Sequence, residues 1–286
     1  MTATILDGTK VAKRADQVFQ ETVQELKQHQ IIPGLAVILV GDNPASAVYV
    51  RNKQRRAEKI GLNYQLFHLP VTVSQDELLE LIQRLNQDPQ VDGLMVQMPL
   101  PAQIDAMVVM NTIAPEKDVD GFSIANVGRL WSGMFGNFPG TPRGIMRLLH
   151  EYQVPIAGQH AVVIGRSDIV GKPMAALLLR ENATVTIAHS HTRDLRSLTR
   201  QADILVVAVG QAGLISGADI KPGAVVVDVG MNRNEAGKLV GDIDFPSVAQ
   251  VAKMVTPVPG GVGPMTITGL LEQVVTLAQR RVEQND

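Results

Sequence analysis

Apolar residues first recur at helical spacing. Val11, Ala15, Val18, Phe19, Val23 and Leu26 share one face, so residues 8–29 are expected to form an amphipathic helix. The pattern then changes. GLAVILVG (34–41) is apolar without a break between two glycines, as in a strand buried on both sides of a parallel sheet. Asn43-Pro44 reads as N-cap and first turn of a helix running to about Ile60. NYQLFHL (63–69) reads as a strand, SQDELLELIQRLN (74–86) as a helix, GLMVQ (93–97) as a strand and IDAMVVMNTI (104–113) as a helix.

After a glycine- and proline-bearing stretch from Ala114 to about Pro142, read as a long loop, the alternation resumes. Strands are expected near 160–165, 183–187, 203–208 and 224–229, with helices between them and a helix over Met265–Arg281. Strand–helix alternation calls for a mostly parallel sheet covered on both faces. At 286 residues the chain suits two domains. The expected architecture is α/β, with two α/β domains around a cleft, divided as 1–141 with 267–286 and 142–266.

Composition narrows the chemistry. Charged residues make up 19% and the formal net charge is -2, so nucleic acid is not an expected partner. Cysteine is absent, which removes disulfides, thiolate catalysis and cysteine-based metal sites. No apolar run is long enough for a membrane span, the start has no signal-peptide pattern, and no metal ligand set is evident. A cytoplasmic chain is expected.

AVVIGRSDIVGKPMA (161–175) reads as strand, loop and helix, with the helix starting at Pro173. Such junctions hold pyrophosphates in dinucleotide-binding folds, although the G-x-G-x-x-G spacing is missing. The next strand ends about 20 residues on, where NAD-binding chains place a carboxylate on the ribose. Here Ala188, His189, Ser190 and His191 stand instead. A guanidinium and hydroxyls suit a 2′-phosphate that a carboxylate would repel. Gly165, Arg166, Ser167 and Ser190 are therefore expected to bind NADP; a solvated surface charge is the plainer reading of Arg166. AVG (208–210) and DVGMN (228–232) end further strands at the same edge, and Met231 is a candidate for the nicotinamide side. Either glycine could equally serve as a turn or cap.

In the first half, Tyr49 and Lys53 share a helix face at i and i+4, a spacing that is also common on solvated surfaces. Gln97 ends a strand just before Met98-Pro99-Leu100-Pro101. PEKDVDGF (115–122) places Asp120 in a charged turn. TPVPGGVGPMT (256–266) makes a stiff loop with open amides, suited to a flat polar ligand or to a structural crossing.

Taken in order, NPASAVYVRNK, DGLMVQMPLP, PEKDVDGF, GTPRGI, GRSDIVGKP and TPVPGGVGPMT resemble the bifunctional methylenetetrahydrofolate dehydrogenase/methenyltetrahydrofolate cyclohydrolase family over nearly the whole chain. The resemblance implies a folate-binding catalytic domain over 1–141 and 267–286, and a Rossmann-like NADP-binding domain over 142–266. It implies oxidation of 5,10-methylenetetrahydrofolate with NADP, then hydrolysis to 10-formyltetrahydrofolate. It further implies a homodimer acting on tetrahydrofolate one-carbon derivatives, in a metabolism that feeds purine biosynthesis. By motif position Lys53 would be the central catalytic residue, with Tyr49 its partner at the folate ring. Gln97 would tune Lys53 and Asp120 would hold the pterin. Pro99, Leu100, Pro259, Gly260, Gly261 and Val262 would line the substrate. Two positions depart from the family pattern: Gly140 and Ala188 stand where cysteine is frequent. Two other readings stay open from the residues alone: an NADP-dependent dehydrogenase of a small hydroxy acid, like shikimate dehydrogenase, and a non-catalytic NADP sensor.

Overall fold

A computed structural model describes residues 2–283. The chain runs β1 (Thr4–Ile5), α1 (Gly8–Gln28), β2 (Gly34–Val40), α2 (Pro44–Ile60), β3 (Asn63–Leu69), α3 (Gln75–Gln87), β4 (Gly93–Val96), α4 (Ala106–Thr112) and α5 (Ile124–Trp131). It continues with α6 (Gly140–Glu151), β5 (His160–Ile164), α7 (Gly171–Arg180), β6 (Thr184–Ala188), α8 (Leu195–Thr199), β7 (Ile204–Val207) and β8 (Val225–Asp228). A short hairpin of β9 (Asn232–Arg233) and β10 (Leu239–Val240) follows, then α9 (Phe245–Val251), β11 (Met254–Val255) and α10 (Val262–Glu283). Two compact units result: Met1–Lys13 with Pro139–Gly269, and Arg14–Phe138 with Leu270–Asp286.

The second of these units holds three parallel strands in the order β3-β2-β4. β2 is buried along its entire length, which accounts for its unbroken apolar run. β3, at one edge, has no fully buried position, and half-buried and exposed residues alternate from Gln65 to Leu69. Ser74 and Glu77 form a reciprocal capping box that starts α3, and Asp105 accepts from Met107 N–H at 2.8 Å to start α4. The stretch after Ala114 is not a continuous loop. Ser123 caps α5, which buries Asn126 and Leu130, and Lys117–Asp118 runs beside β4 with Leu94 N–H bonded to the Lys117 carbonyl at 2.7 Å. α5 is only eight residues long, too short for its apolar positions to separate a helix from a loop by period.

The other unit carries a six-stranded parallel sheet in the order β1-β11-β8-β7-β5-β6. Alternation along each strand sends its side chains to two cores. Val163 and Val206 join Leu6, Ile145 and Met174 on one face, while Val162, Ile164 and Val207 join Ile215, Ile243 and Val248 on the other. Each such side chain contributes roughly 1.5–3 kcal/mol by leaving water. Residues 1–13 belong to this unit because β1 pairs with β11, Thr4 opposite Met254. The sequence division had placed them with 14–141. Two-residue strands such as β1 and β11 have no readable period, and only their pairing defines them.

Gln273 of α10 is 1% exposed and ties two segments of its own unit. It accepts from Phe138 N–H at 3.0 Å and donates to the Val119 carbonyl at 2.6 Å. Gln273→Leu would strand both backbone groups in the interior. We expect a loss of about 2–4 kcal/mol in the urea unfolding free energy, from roughly 1–3 kcal/mol per buried unpaired group; an unchanged midpoint would contradict this role.

Candidate functional site

Lys53 is buried because of its register on α2. Ser46, Val50, Lys53, Ala57 and Ile60 follow three- and four-residue steps and are all turned inward, with Lys53 8% exposed. Tyr49, one turn earlier, lies on the adjoining face and is 41% exposed. Across from Lys53, β4 presents Met95 and Gln97 two residues apart, hence on one side of the strand. The Lys53 ammonium donates to Gln97 Oε1 at 2.9 Å and lies 3.5 Å from Met95 Sδ. Gln97 Nε2 donates to the Met98 carbonyl at 2.8 Å, so both ends of the amide are fixed. Ser46 donates to the same carbonyl at 3.3 Å. Beyond it Pro99 is exposed and Leu100 is half-buried against the unit's core.

Asp120 belongs to the same electrostatic group. Burial pushes its carboxyl up to about 6; the Lys53 charge pulls it down, and Asp118 pushes it further up. Burial also holds the Lys53 ammonium below the usual lysine range, with Asp120 acting in the opposite direction. The turn that carries Asp120 is built by Asp118, 1% exposed, which accepts from Gly121 N–H, Ser123 N–H and Asn126 Nδ2 at 2.9, 2.9 and 3.1 Å. Gly121 has φ +66°, and a Cβ there would meet the Asn137 backbone. Met95 and Ser46 are not singled out by the sequence, and Asp118 reads there only as part of a charged turn. The one available signal was a lysine at an inward helical position, together with two aspartates two residues apart.

In the six-stranded unit the strand order reverses between β5 and β7, the place where doubly wound sheets take nucleotides. Gly165 leaves β5 there with φ +125°, and a Cβ on it would strike the Ala208 carbonyl. Gly171 opens α7, and a Cβ on it would strike the Gly165 carbonyl. The two glycines therefore let strand, loop and helix close on one another. Helix α7 begins at Gly171, two residues before the expected Pro173, because Ser167 Oγ accepts from Val170 and Gly171 N–H at 3.2 and 3.3 Å. Arg166, Ser167 and Ser190 are exposed, the last in a turn closed by His189 N–H on Thr192 Oγ1 at 2.9 Å.

The same unit contains a cavity of about 530 Å³ that unites Met231, 54% exposed, with Pro259, Gly260, Gly261 and Val262. Its loop is fixed by Thr9 N–H on the Gly260 carbonyl at 3.0 Å and by Gly261 N–H on Pro257 at 2.9 Å. The peptides before Pro99 and Pro259 are both cis. The sequence-derived residues thus fall into three groups, each within one unit: Lys53, Gln97 and Asp120; Gly165, Arg166 and Ser167; and Met231 with Pro259–Val262.

A parallel sheet with a glycine-bearing strand–helix junction at its reversal point, joined in one chain to a unit with a buried lysine, defines a dinucleotide-binding α/β enzyme architecture. Comparison gives the family. Residues 6–120 match the tetrahydrofolate dehydrogenase/cyclohydrolase catalytic domain, and residues 139–282 match the NAD(P)-binding domain of the same name. The bifunctional protein FolD of Lactococcus lactis subsp. cremoris is 56% identical over 98% of this chain and 99% of its own. The FolD crystal structure from Campylobacter jejuni superposes with a TM-score of 0.96 at 47% identity, covering 98% of this chain and 99% of that one. The Trypanosoma brucei methylenetetrahydrofolate dehydrogenase-cyclohydrolase, complexed with NADP cofactor and inhibitor, has a TM-score of 0.92 at 39% identity and covers 99% of both chains. This chain belongs to the tetrahydrofolate dehydrogenase/cyclohydrolase family. No described helix is long and apolar enough to cross a membrane.

The coupling of Lys53 and Asp120 can be read directly. Because the lysine charge lowers the Asp120 pKa, Lys53→Met should move that carboxyl above about 6. Carboxyl-carbon NMR of labelled aspartate checks this; an unmoved titration would mean that the two groups do not interact.

Proposed function

We propose that this protein is a bifunctional enzyme that oxidises 5,10-methylenetetrahydrofolate to the 5,10-methenyl form with NADP, then hydrolyses it to 10-formyltetrahydrofolate. The observation that carries the reading is the buried Lys53–Gln97 pair with Asp120 beside it, within a chain whose similar solved structures from Campylobacter jejuni and Trypanosoma brucei bear both activities in their names. The unit with the six-stranded sheet suits NADP. Gly165 and Gly171 let strand, loop and helix close on one another, Arg166, Ser167 and Ser190 stand exposed around the loop, and the carboxylate of Asp168 in the same loop is paired with Lys172. NADP, when bound, supplies the acceptor for the hydride that leaves the one-carbon bridge.

The chain's own residues account for the rest. Oxidation makes the one-carbon bridge cationic, and a protonated lysine beside it would oppose that charge. Burial lowers the Lys53 pKa and so favours the neutral amine at that moment. In hydrolysis a water oxygen bonds to the methenyl carbon, the C=N π electrons return to nitrogen, and the water proton passes to Lys53 Nζ. The same proton then serves the ring nitrogen as its bond to the carbon breaks, while the adduct's hydroxyl oxygen forms the formyl C=O and releases its own proton to solvent, leaving the formyl group on the other nitrogen. Gln97 holds the ammonium through Oε1, and its own amide is held in turn by Met98. Tyr49, one helical turn away, is assigned to the folate ring with Lys53. Asp120, ionised above about pH 6, is assigned to the paired donors of the pterin edge. Pro99 and Leu100 are assigned to the substrate. In the other unit the cavity at Met231 and Pro259–Val262 is assigned to the meeting of nicotinamide and folate.

We also read the protein as a cytoplasmic homodimer whose product feeds purine biosynthesis, with family membership as the support for all three. Neither rival reading gains a supporting observation. A hydroxy-acid dehydrogenase would need neither Tyr49 together with Lys53 nor an Asp120 that binds a pterin, and a sensor has no use for a lysine withdrawn from water. Lys53→Met should slow hydrolysis of supplied 5,10-methenyltetrahydrofolate at least about 100-fold, the usual scale of a lost acid–base group, with NADP affinity kept within about twofold. Hydrolysis at the parent rate would remove Lys53 from this role.

A further inference from the structure

The loops that follow β7 and β8 are held by a pair of buried carboxylates that the chemistry above does not use. Asp228 ends β8 and is 2% exposed; Asp242 follows β10 and is 0% exposed. The ladder between β7 and β8 stops at Val229 N–H on the Val207 carbonyl, 2.8 Å. Beyond that point two glycine-bearing loops would be left with open amides. Asp242 Oδ2 takes Val209 N–H and Gly210 N–H at 2.8 and 3.0 Å, and its Oδ1 takes Asn232 Nδ2 at 2.8 Å. Asp228 Oδ1 takes Gly230 N–H and Asp242 N–H, both at 2.9 Å, and its Oδ2 takes Ile243 N–H at 3.2 Å. Met231 lies between two residues bound in this way. Gly230 and Gly241 pack so tightly that a Cβ on either would strike the carboxylate of Asp242 or Asp228 respectively.

Packing alone does not explain this arrangement. Two like charges this deeply buried cost several kcal/mol each, and neutral acceptors would satisfy the amides at lower cost. Charge-assisted hydrogen bonds are shorter and stiffer than neutral ones. What the carboxylates add is a fixed separation between the Val209–Gly210 loop and the Gly230–Asn232 loop.

We propose that Asp242, seated on Asp228, is a positioning residue that sets the affinity for NADP by locking these two strand-end loops in the shape that receives the cofactor. The inference rests on assigning the loops to the nicotinamide cofactor. It adds a residue that acts through backbone amides and the Asn232 side chain, not by contact with cofactor or folate.

Asp242→Asn is the informative change. Whichever way the amide turns, an NH₂ group faces either the Val209 and Gly210 N–H groups or Asn232 Nδ2. Asn232 cannot flip to compensate, since its Nδ2 also donates to the Gly241 carbonyl at 3.1 Å. Fluorescence titration with NADPH and steady-state kinetics with NADP should show Kd and KM raised about tenfold or more, the scale of a lost charged hydrogen bond. The kcat at saturating NADP should stay within about threefold. Hydrolysis of supplied 5,10-methenyltetrahydrofolate, which needs no nicotinamide, should stay within about twofold. The double variant Asp242→Asn/Asn232→Asp restores one donor–acceptor pairing and should regain part of the affinity. Should Asp242→Asn not fold, Asn232→Ala removes only the half-buried end of the lock, with a shift of about threefold expected in the same direction. Unchanged NADP affinity in a folded variant, or equal losses of affinity and hydrolysis, would overturn the proposal. If the unaltered protein hydrolyses methenylfolate but does not bind NADP, the cofactor assignment itself falls and this inference falls with it.

Discussion

Taking a lysine ammonium out of water is costly, and the three-stranded unit is arranged around that cost. Helix α2 turns Lys53 inward along with its apolar positions, and the end of β4 answers with Gln97, whose side-chain carbonyl accepts from the ammonium. A glutamate in that position would have restored the ordinary lysine pKa through its charge. A leucine would have left the ammonium uncompensated. The neutral amide satisfies the ammonium without stabilising it strongly, so burial is left to lower its pKa. Asp120 is then the one charge that tempers the shift, and its own carboxyl is pushed to about 6 by the same dry surroundings.

The six-stranded unit answers a different constraint. Parallel strands end in loops whose amides have lost their ladder partners. At a reversal of strand order several such ends lie side by side. Gly165 and Gly171 remove the side chains that would hold strand, loop and helix apart, while Ser167 closes the first turn of α7. Asp228 and Asp242 do for the next two loops what a helix cap does for its first turn, from inside the protein. The surface offered to a ligand is thus mostly backbone, with Arg166 and Ser190 standing exposed at its polar margin.

Elements with enough residues to show a period were legible in the sequence. β3 occupies the expected 63–69, and α1, β2, α2 and α3 fall within a residue or so of their expected limits. Elements that exist only through pairing were not. β1 and β11 are two residues each, and their union moves residues 1–13 into the unit with the six-stranded sheet. α5 was hidden because its capping serine and buried Asn126 are polar residues, which read as loop. The site divides along the same line. Tyr49, Lys53, Gln97 and Asp120 could be picked out because their types carry chemistry and because the ordered motifs resemble one family. The surroundings of Lys53 and Asp120 could not, since Met95 comes to the one through strand register and Asp118 to the other through a bridge beside β4. Asp242 left no trace in the sequence: nothing in GDID points to the buried amides it serves.

The central claim is that one chain carries both the oxidative and the hydrolytic step. Purified protein would be mixed with 5,10-methylenetetrahydrofolate and NADP, and reduced cofactor and the methenyl chromophore followed together before and after an acid quench. The account predicts NADPH forming with little methenyl absorbance before the quench, and the chromophore appearing after it as acid closes the 10-formyl product. NADPH rising in step with methenyl absorbance before the quench would show a dehydrogenase without effective hydrolysis. Absence of NADPH would contradict the oxidative assignment outright.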